Sequence, residues 1–580
     1  MEFKTKYLKN LFLKNWRLFT LIVAAIIFFI GTSAYNYTIQ QEDYIKWLSP
    51  DETANYTFAK LYGQENTLTI FEKYNLVADG LIMPRSFRSD NGWLKPVSFL
   101  GIILIYGKIA SVFSSHVLPY LTPLFASIGI IYFYLLLKKF FGRRNAYYSA
   151  LLLSVFPVYI YYSARSMFHN VLFTVLLIAG LFHLSKILAH NKTKNIYLNS
   201  VHCFASGLFL GLAVITRVSE LLWLAPIILI ILLANIKRLN LLKITLFFAA
   251  FSTALMPMFY YNQILYDSPW NSGYPEMNQS IRNIYQASGN LAVDSISTNF
   301  TAVKSNFKII SQNIFHFGFK LKQSARTFYY YLPHMFPWLF TLGSLGLILF
   351  FQKISKWKKR HYLFIINYTF LSLVLIFYYG SWSFNDNPDP ASFTIGNSYT
   401  RYWLPIYLGL LPFASMAIIK FTKFFKNKKI IIASRAIVFL LIAGFSISFV
   451  VFEKEEGLAI SKKNQLNQRN ELAKVLSLTE NNSVIITQYH DKLLFPERKV
   501  VVGLFDDKNL ISRYALLAEQ LPVYYYNFTF PQKDIDYLNS KRLSEFGLHI
   551  NPIEKITNSF TLYKIELNNN FFPVIPVDIR

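Results

Sequence analysis

The sequence predicts a mainly α protein: a polytopic bundle of about eleven membrane-spanning helices carrying a C-terminal extracytoplasmic α/β domain. Three observations predict it. Hydrophobic residues make up 53% of the 580 positions, and they gather in uncharged runs such as 18–34 and 436–452, a length that suits a bilayer. Aromatic content is 18%, which suits lipid-facing surface and interfacial belts. The formal charge of +27 is unevenly placed, because residues 453–580 hold 16 basic and 16 acidic side chains and the whole excess lies before them. Basic excess confined to short loops between apolar segments is the positive-inside signal, so no nucleic-acid partner is expected.

The first span covers 17–37 and follows Lys4, Lys6, Lys9 and Lys14. It lacks a small-residue cleavage pattern and is longer than a signal-peptide core, so it reads as an uncleaved anchor with a cytoplasmic N-terminus. Further spans are expected near 117–137, 146–163, 169–186, 200–217, 220–236, 242–262, 333–352, 362–380, 402–419 and 431–452. The segments this places in the cytoplasm carry 26 Lys or Arg against one acid, Glu2, whereas 38–96 and 263–332 hold 12 basic and 11 acidic residues. Residues 97–113 are apolar but contain Lys108. If they spanned, Lys138, Lys139, Arg143 and Arg144 would move outside, so a helix along the outer interface is expected.

Two domains follow: a multi-pass membrane domain, 1–452, with outer loops 38–116 and 263–332, and a soluble extracytoplasmic domain, 453–580. Strand-like runs at 483–487, 500–505, 523–526 and 560–565 alternate with helical stretches in the latter, an α/β pattern. A single cysteine, Cys203, excludes intrachain disulfides and cysteine metal clusters. No metal ligand set is proposed. The Walker A loop, the His-Glu-x-x-His helix and the Gly-x-Ser-x-Gly elbow are all absent, which removes the machinery of ATP-driven transport, zinc proteolysis and serine hydrolysis.

Outer loops of this size are uncommon unless they fold or work. In the first, Ser49-Pro50-Asp51-Glu52 reads as a helix start, with Ser49 as cap, Pro50 at the first position and Glu52 closing a capping box. The same segment offers Asp51 as an outward-facing general base, and the two readings are compatible. Lys95 lies at headgroup level, where a lysine either snorkels and pairs with membrane lipids or holds a specific phosphate. Arg165, Arg217, Glu220 and Arg401 sit at the expected outer ends of spans. Charges at membrane depth are expensive and so are functional candidates. Arg217 and Glu220, three apart, also fit a structural ion pair. Arg401, followed by Tyr402, has no acid within ten residues in sequence, and a guanidinium suits an outer phosphate clamp.

Taken in order, these features resemble the GT-C integral-membrane glycosyltransferases, in particular glycosyltransferase family 39, which includes protein O-mannosyltransferases and aminoarabinose transferases. The resemblance rests on Pro50-Asp51-Glu52 in the first outer loop and on Lys95-Pro96 before an interfacial helix. It extends to Tyr162-Ser163-Ala164-Arg165, to the glycine-rich helix that ends in Thr216-Arg217, and to Arg401-Tyr402-Trp403-Leu404-Pro405. It covers about residues 15–420. It implies a polyprenyl-phosphate sugar as donor substrate, no soluble cofactor, and inverting transfer on the outer face to a protein, lipid or glycan acceptor. By carry-over, Asp51 deprotonates the acceptor nucleophile, and Arg401 and Lys95 hold the departing lipid phosphate; Glu52 is a catalytic candidate beside Asp51, and Arg165, Arg217 and Tyr402 are substrate-binding candidates. No Trp-Trp-Asp stretch occurs, which disfavours an oligosaccharyltransferase. A lipid-linked oligosaccharide flippase and a non-enzymatic membrane assembly factor are the alternatives. A transporter would be expected to show two similar halves, and no duplication is visible.

Overall fold

The computed structural model describes residues 2–39, 44–188, 196–296, 300–387, 389 and 391–568. The end of the expected terminal domain, 569–580, lies outside the described residues. The chain forms two compact units. One comprises 1–38, 99–106 and 116–460; the other gathers 39–98, 107–115 and 461–580. The division differs from a boundary at 452/453, because the first outer loop packs with the C-terminal segment.

The first unit is helical. Among the described residues, eight helices are long and apolar enough to cross a membrane, from Asn15–Ile39 to Lys428–Phe452. A ninth span results if Leu321–His334 and Pro337–Phe351, which meet at 95°, count as one. The remaining spans expected from sequence are present in shorter form. Region 220–236 is a 3₁₀ turn, Val218–Glu220, followed by helix Leu221–Ala234. The stretch Leu118–Ser154 is two helices meeting at a kink where Gly142 adopts φ 81°, within the connection expected at 138–144 between the spans 117–137 and 146–163. A second break precedes Pro157, which opens the short helix Pro157–Ala164 because proline brings no backbone N–H to continue the ladder. The bent pair has prolines at both sides of its break, Pro333 and Pro337.

Small residues let these helices touch backbone to backbone, as in membrane bundles generally. A Cβ on Gly207 would lie 2.1 Å from the Phe247 carbonyl oxygen. Gly101 of helix Leu100–Phe113 sits against the backbone of Thr216, with a Cβ 2.4 Å from its Cα. At about 1.5 Å per residue the 14-residue helix Leu100–Phe113 is too short to cross a hydrocarbon core of about 30 Å. The second long loop folds too, into helices Pro275–Ile296 and Phe300–Ile314.

The second unit holds two sheets. Strands β1 (Ile70–Phe71), β2 (Phe87–Asp90) and β3 (Trp93–Pro96) form an antiparallel sheet in the order β1-β3-β2. Strands β4 (Val484–Thr487), β5 (Lys499–Val502), β6 (Val523–Phe528), β7 (Leu548–Lys555) and β8 (Phe560–Leu567) form a five-stranded sheet in the order β5-β4-β6-β8-β7. Pairs β4–β5 and β4–β6 are parallel, whereas β8 runs antiparallel to β6 and β7. Four of these strands coincide with the apolar runs. The fifth, β7, is an edge strand with Pro552 and a register shift at Pro552/Glu554, and an edge tolerates such polar, proline-bearing sequence.

Residues of the first loop complete this domain. Ala78 and Ile82 are buried in its apolar core beside Val501, Tyr514 and Tyr563. Ile82 and Met83 bridge to Val501 of strand β5. Arg85 donates from its backbone N–H and from Nε to the buried Asp491 carboxylate at 2.9 and 3.1 Å. Lys46 pairs with Glu497.

Candidate active site

In the helical unit, Arg165, Arg217, Arg401 and Tyr402 are drawn together where helices start and stop. Arg165 caps the end of Pro157–Ala164, and Phe168 precedes helix His169–Ile187. Arg217 follows helix Ile196–Thr216 with extended φ −150°. Arg401 and Tyr402 close the short helix Ser398–Tyr402, whose cap Asn397 accepts from the Tyr399 N–H at 3.0 Å. Two rings join the three guanidinium groups. The Phe168 centroid lies 5.3 Å from Arg165 Cζ and 4.4 Å from Arg401 Cζ. The Tyr402 centroid lies 5.2 Å from Arg401 Cζ and 4.6 Å from Arg217 Cζ. Aromatic faces attract cations and hold them without neutralising them.

Glu220 pairs directly with Arg217 at 2.8 Å. Arg401 Nη2 donates to Ser398 Oγ at 2.8 Å, and Ser398 donates in turn to Asp386. Asp386 also accepts from the Ser398 N–H at 3.0 Å and from Asn397 Nδ2 at 2.7 Å. Near Arg165 lies Glu456, whose carboxylate accepts from the Thr394 hydroxyl. Burial pushes the Glu456 carboxyl up, with the Thr394 hydrogen bond and the Arg165 charge acting against it. Sequence reasoning missed Asp386 and Glu456. The polar run 383–389 ahead of Asn397-Ser398 was the available signal for Asp386; none pointed to Glu456.

An apolar cavity of about 540 Å³ lies among the helices of the same unit. Thr174, Trp223, Leu371 and Pro405 line one end, and Lys139, Arg238, Lys358, Lys359 and Arg360 line the other. Along the helix that carries Lys359 and Leu371 the cavity extends about 18 Å at 1.5 Å per residue. Trp223 connects it to the arginine cluster, because its indole N–H donates to Glu220. Helix Lys359–Gly380 leads past Leu371 to Tyr379, which stacks on Tyr402 with centroids 4.4 Å apart.

Asp51, Glu52 and Lys95 belong to the other unit. Ser49 caps helix Pro50–Glu65, and the buried Glu52 carboxylate accepts from the Ser49 N–H at 3.1 Å. The carboxylate of Asp51 is half-buried and accepts from Ser86 Oγ at 2.9 Å. Ser86 precedes strand β2 in a left-handed conformation, φ 64°. Lys95 on strand β3 pairs with Asp90 Oδ2 at 3.2 Å, and Arg88 Nε donates to the same carboxylate at 2.9 Å. Lys95 thus has a protein carboxylate as partner. Among the described residues, no three His, Cys, Asp or Glu side chains are grouped to hold a metal ion.

Residues 95–261 match the family model of dolichyl-phosphate-mannose-protein mannosyltransferase. The fold is similar to that of the Archaeoglobus fulgidus oligosaccharyltransferase in its apo form, with a TM-score of 0.53 and 13% identity over 92% of this chain and 71% of that one. The same archaeal enzyme, AglB, in complex with an inhibitory peptide and a dolichol-phosphate matches with a TM-score of 0.53 and 12% identity, over 91% and 70% of the two chains. ArnT from Cupriavidus metallidurans in the apo state matches over 94% of this chain and 99% of that one, with a TM-score of 0.51 and 9% identity. No curated protein sequence matches the chain.

Proposed function

We propose that this chain, a membrane glycosyltransferase of the GT-C type similar to glycosyltransferase family 39, moves a sugar from a polyprenyl-phosphate donor to an acceptor hydroxyl or amine by inverting, single displacement. The junction of two features carries this reading: three buried guanidinium groups, and an apolar cavity that Trp223 joins to them through Glu220. A polyprenyl phosphate has the matching halves, an anionic head and a long hydrocarbon tail. The archaeal enzyme AglB, solved with a dolichol-phosphate, supports the same donor class.

In this reading the acceptor heteroatom attacks the anomeric carbon. The bond from that carbon to the phosphate oxygen breaks, and its electron pair leaves with the phosphate. Asp51 takes the proton released by the acceptor, and its Ser86 hydrogen bond aims the carboxylate. Glu52 fixes the helix start that carries Asp51. Arg401 stabilises the departing phosphate, supported by Ser398 and Asp386. Arg165 and Arg217 add positive potential around Phe168 and Tyr402. Lys95 joins the phosphate by exchanging its Asp90 partner for it. Protein, lipid and glycan acceptors all meet the chemical requirement of a nucleophile with a removable proton. The distribution of Lys and Arg supports a cytoplasmic N-terminus and an extracytoplasmic 453–580 segment.

The test is turnover by purified protein in lipid nanodiscs with a panel of polyprenyl-phosphate sugars, scored for release of polyprenyl phosphate. Release that falls in Arg401→Ala at low donor concentration and in Asp51→Asn supports the reading. Absence of release with every donor defeats it.

A further inference from the structure

The basic end of the apolar cavity has no part in the transfer reading. Five cations meet there from three segments of the helical unit: Lys139 of the stretch Leu118–Ser154, Arg238 of the turn Ile236–Arg238, and Lys358, Lys359 and Arg360 at the start of helix Lys359–Gly380. Segments 118–266, 337–380 and 404–435, which line the cavity, contain a single acidic residue, Glu220. It pairs with Arg217 at the other end. No carboxylate of the cavity's own segments therefore neutralises the five. Lys139 lies within electrostatic reach of Lys186, Lys138 and Arg360, all of the same sign. Helix Lys359–Gly380 has no acidic residue in its first turn, so three cations gather at the positive end of its dipole. An anion relieves that repulsion.

The local hydrogen bonds leave this charge in place. Lys359 Nζ donates to the Ala234 carbonyl, and Arg238 Nη1 donates to the Leu188 carbonyl at 2.5 Å, each at a helix end. A carbonyl takes one N–H and no charge, whereas an ammonium has three donors and a guanidinium five. Basic excess at one membrane face is a general topology signal. It suffices for Lys353, Lys426 and Lys429, which are exposed and outside the cavity, but not for five cations converging on an apolar hollow. Lys358, Lys359 and Arg360 are exposed, so this end is open to a headgroup. Behind them the walls are hydrocarbon, among them Leu177, Leu224, Ile231 and Leu371. The length of about 18 Å is close to the ~15 Å of one leaflet, half of a membrane core. A diacyl phospholipid matches both parts, with a phosphate at the boundary and a chain reaching toward the midplane. Lys359 and Tyr379 are about 30 Å apart along their helix, so a phosphate here and one at the arginine cluster occupy opposite boundaries.

We propose that the basic end of the cavity binds the headgroup phosphate of an anionic phospholipid from the leaflet at that face, with one acyl chain in the apolar part. Basic pockets between membrane helices attract such headgroups electrostatically. A choline headgroup cancels the charge of its own phosphate and offers the five cations less. This binding rests on the cavity and its charges, and it holds whether or not Asp51 and Arg401 have the roles given above.

The experiment is native mass spectrometry of the full chain in detergent, titrated with dioleoyl phosphatidylglycerol or dioleoyl phosphatidylcholine. The two lipids share their chains and differ in net charge. Phosphatidylglycerol should bind about tenfold or more tightly, and Arg238→Gln/Lys359→Gln/Arg360→Gln should remove most of that preference. Lys139→Gln/Arg360→Gln, which keeps both helix-end hydrogen bonds, should weaken it in the same direction. Lys353→Gln/Lys426→Gln/Lys429→Gln removes three charges outside the cavity and should bind as wild type does. Equal melting temperatures in phosphatidylcholine keep misfolding from mimicking the result. Dihexanoyl phosphatidylglycerol, whose chains are too short to fill the cavity, should bind more weakly than the dioleoyl lipid. Equal affinity of wild type for the two headgroups overturns the proposal, as does an equal loss of preference in the variant outside the cavity, or equal binding of the short-chain lipid. Tighter binding of polyprenyl phosphate than of phosphatidylglycerol, abolished by the Arg238/Lys359/Arg360 variant, reassigns the basic end to the donor. Loss of donor turnover with the phosphatidylglycerol preference intact counts against the transfer reading alone.

Discussion

Arg217 and Glu220 meet across one 3₁₀ turn, with Nη2 2.8 Å and Nε 2.9 Å from the same carboxylate oxygen. Both are buried, at 5% and 3% exposure. The Tyr379 hydroxyl donates to that oxygen at 2.8 Å and accepts from Arg217 Nη2 at 3.0 Å. A buried pair of this kind is costly to break from one side, because the surviving charge has no water to turn to. Glu220→Ala should therefore lower stability by about 3–5 kcal/mol. Glu220→Gln, which keeps acceptor and shape, should cost less. Thermal unfolding in nanodiscs measures both, and a Glu220→Ala midpoint equal to that of wild type would contradict the pairing.

Arg401 donates to Ser398, which donates in turn to Asp386, a carboxylate fifteen residues away in sequence rather than three. Replacement of Arg401 should act on the donor more than on the acceptor. Arg401→Ala is expected to raise the apparent KM for the polyprenyl-phosphate sugar by about 10–100-fold, the effect of losing a charge-assisted contact to phosphate of about 1.5–3 kcal/mol. Arg401→Lys keeps the charge but loses the planar fork, so it should recover only part of this. Steady-state kinetics with each substrate varied in turn separates the two; an unaltered donor KM in Arg401→Ala would remove Arg401 as the phosphate clamp.

The difference between these two arginines shows which features the sequence exposes. Arg217 and Glu220 are three residues apart, so their pairing could be read directly. Arg401 and Asp386 are linked by the Ser398 hydroxyl, and Glu456 stands near Arg165 from almost three hundred residues away. Such long-range polar partners leave no local pattern. The spans were legible because a bilayer demands long apolar runs, and the basic run 138–144 marked the connection in which Gly142 falls; the interruption at Pro157 depends on packing and was not legible. Four strands of the terminal sheet follow apolar runs, whereas β7 is polar along its outer half. The segment containing Ala78 and Ile82 looked like loop, because the core it enters lies some four hundred residues further along.

Asp51 sits at the first turn of a capped helix and accepts from Ser86. Asp51→Asn preserves the shape and the hydrogen bond to Ser86 but removes the proton acceptor. Turnover should fall by about 10²–10⁴-fold with donor binding unchanged, the range for loss of a positioned general base. Ser86→Ala should give a smaller loss, confined to kcat, because the carboxylate remains but is less constrained. Single-turnover rates with pre-bound donor test both variants. Full activity of Asp51→Asn would show that another group takes the proton.

Lys46 offers a pH-dependent test of how the first loop is anchored to the terminal domain. Its ammonium is buried, donates to the Phe495 carbonyl and pairs with Glu497. Burial pushes its pKa down to about 8 from 10.5, with Glu497 acting in the opposite direction. Between these two values the unfolded chain holds a proton on Lys46 that the folded chain has lost, so the unfolded state binds more protons and stability rises with pH. Below about pH 8 the side chain is charged in both states and its burial carries the full penalty; above about 10.5 the penalty is gone. The shift corresponds to about 3 kcal/mol across that window. Lys46→Met removes the titrating group and leaves Glu497 partly exposed to water. The difference in unfolding free energy between Lys46→Met and wild type should therefore favour the variant at pH 7 and shrink toward pH 10.5. Chemical denaturation at matched ionic strength measures it, and a difference that stays constant with pH would rule out a depressed Lys46.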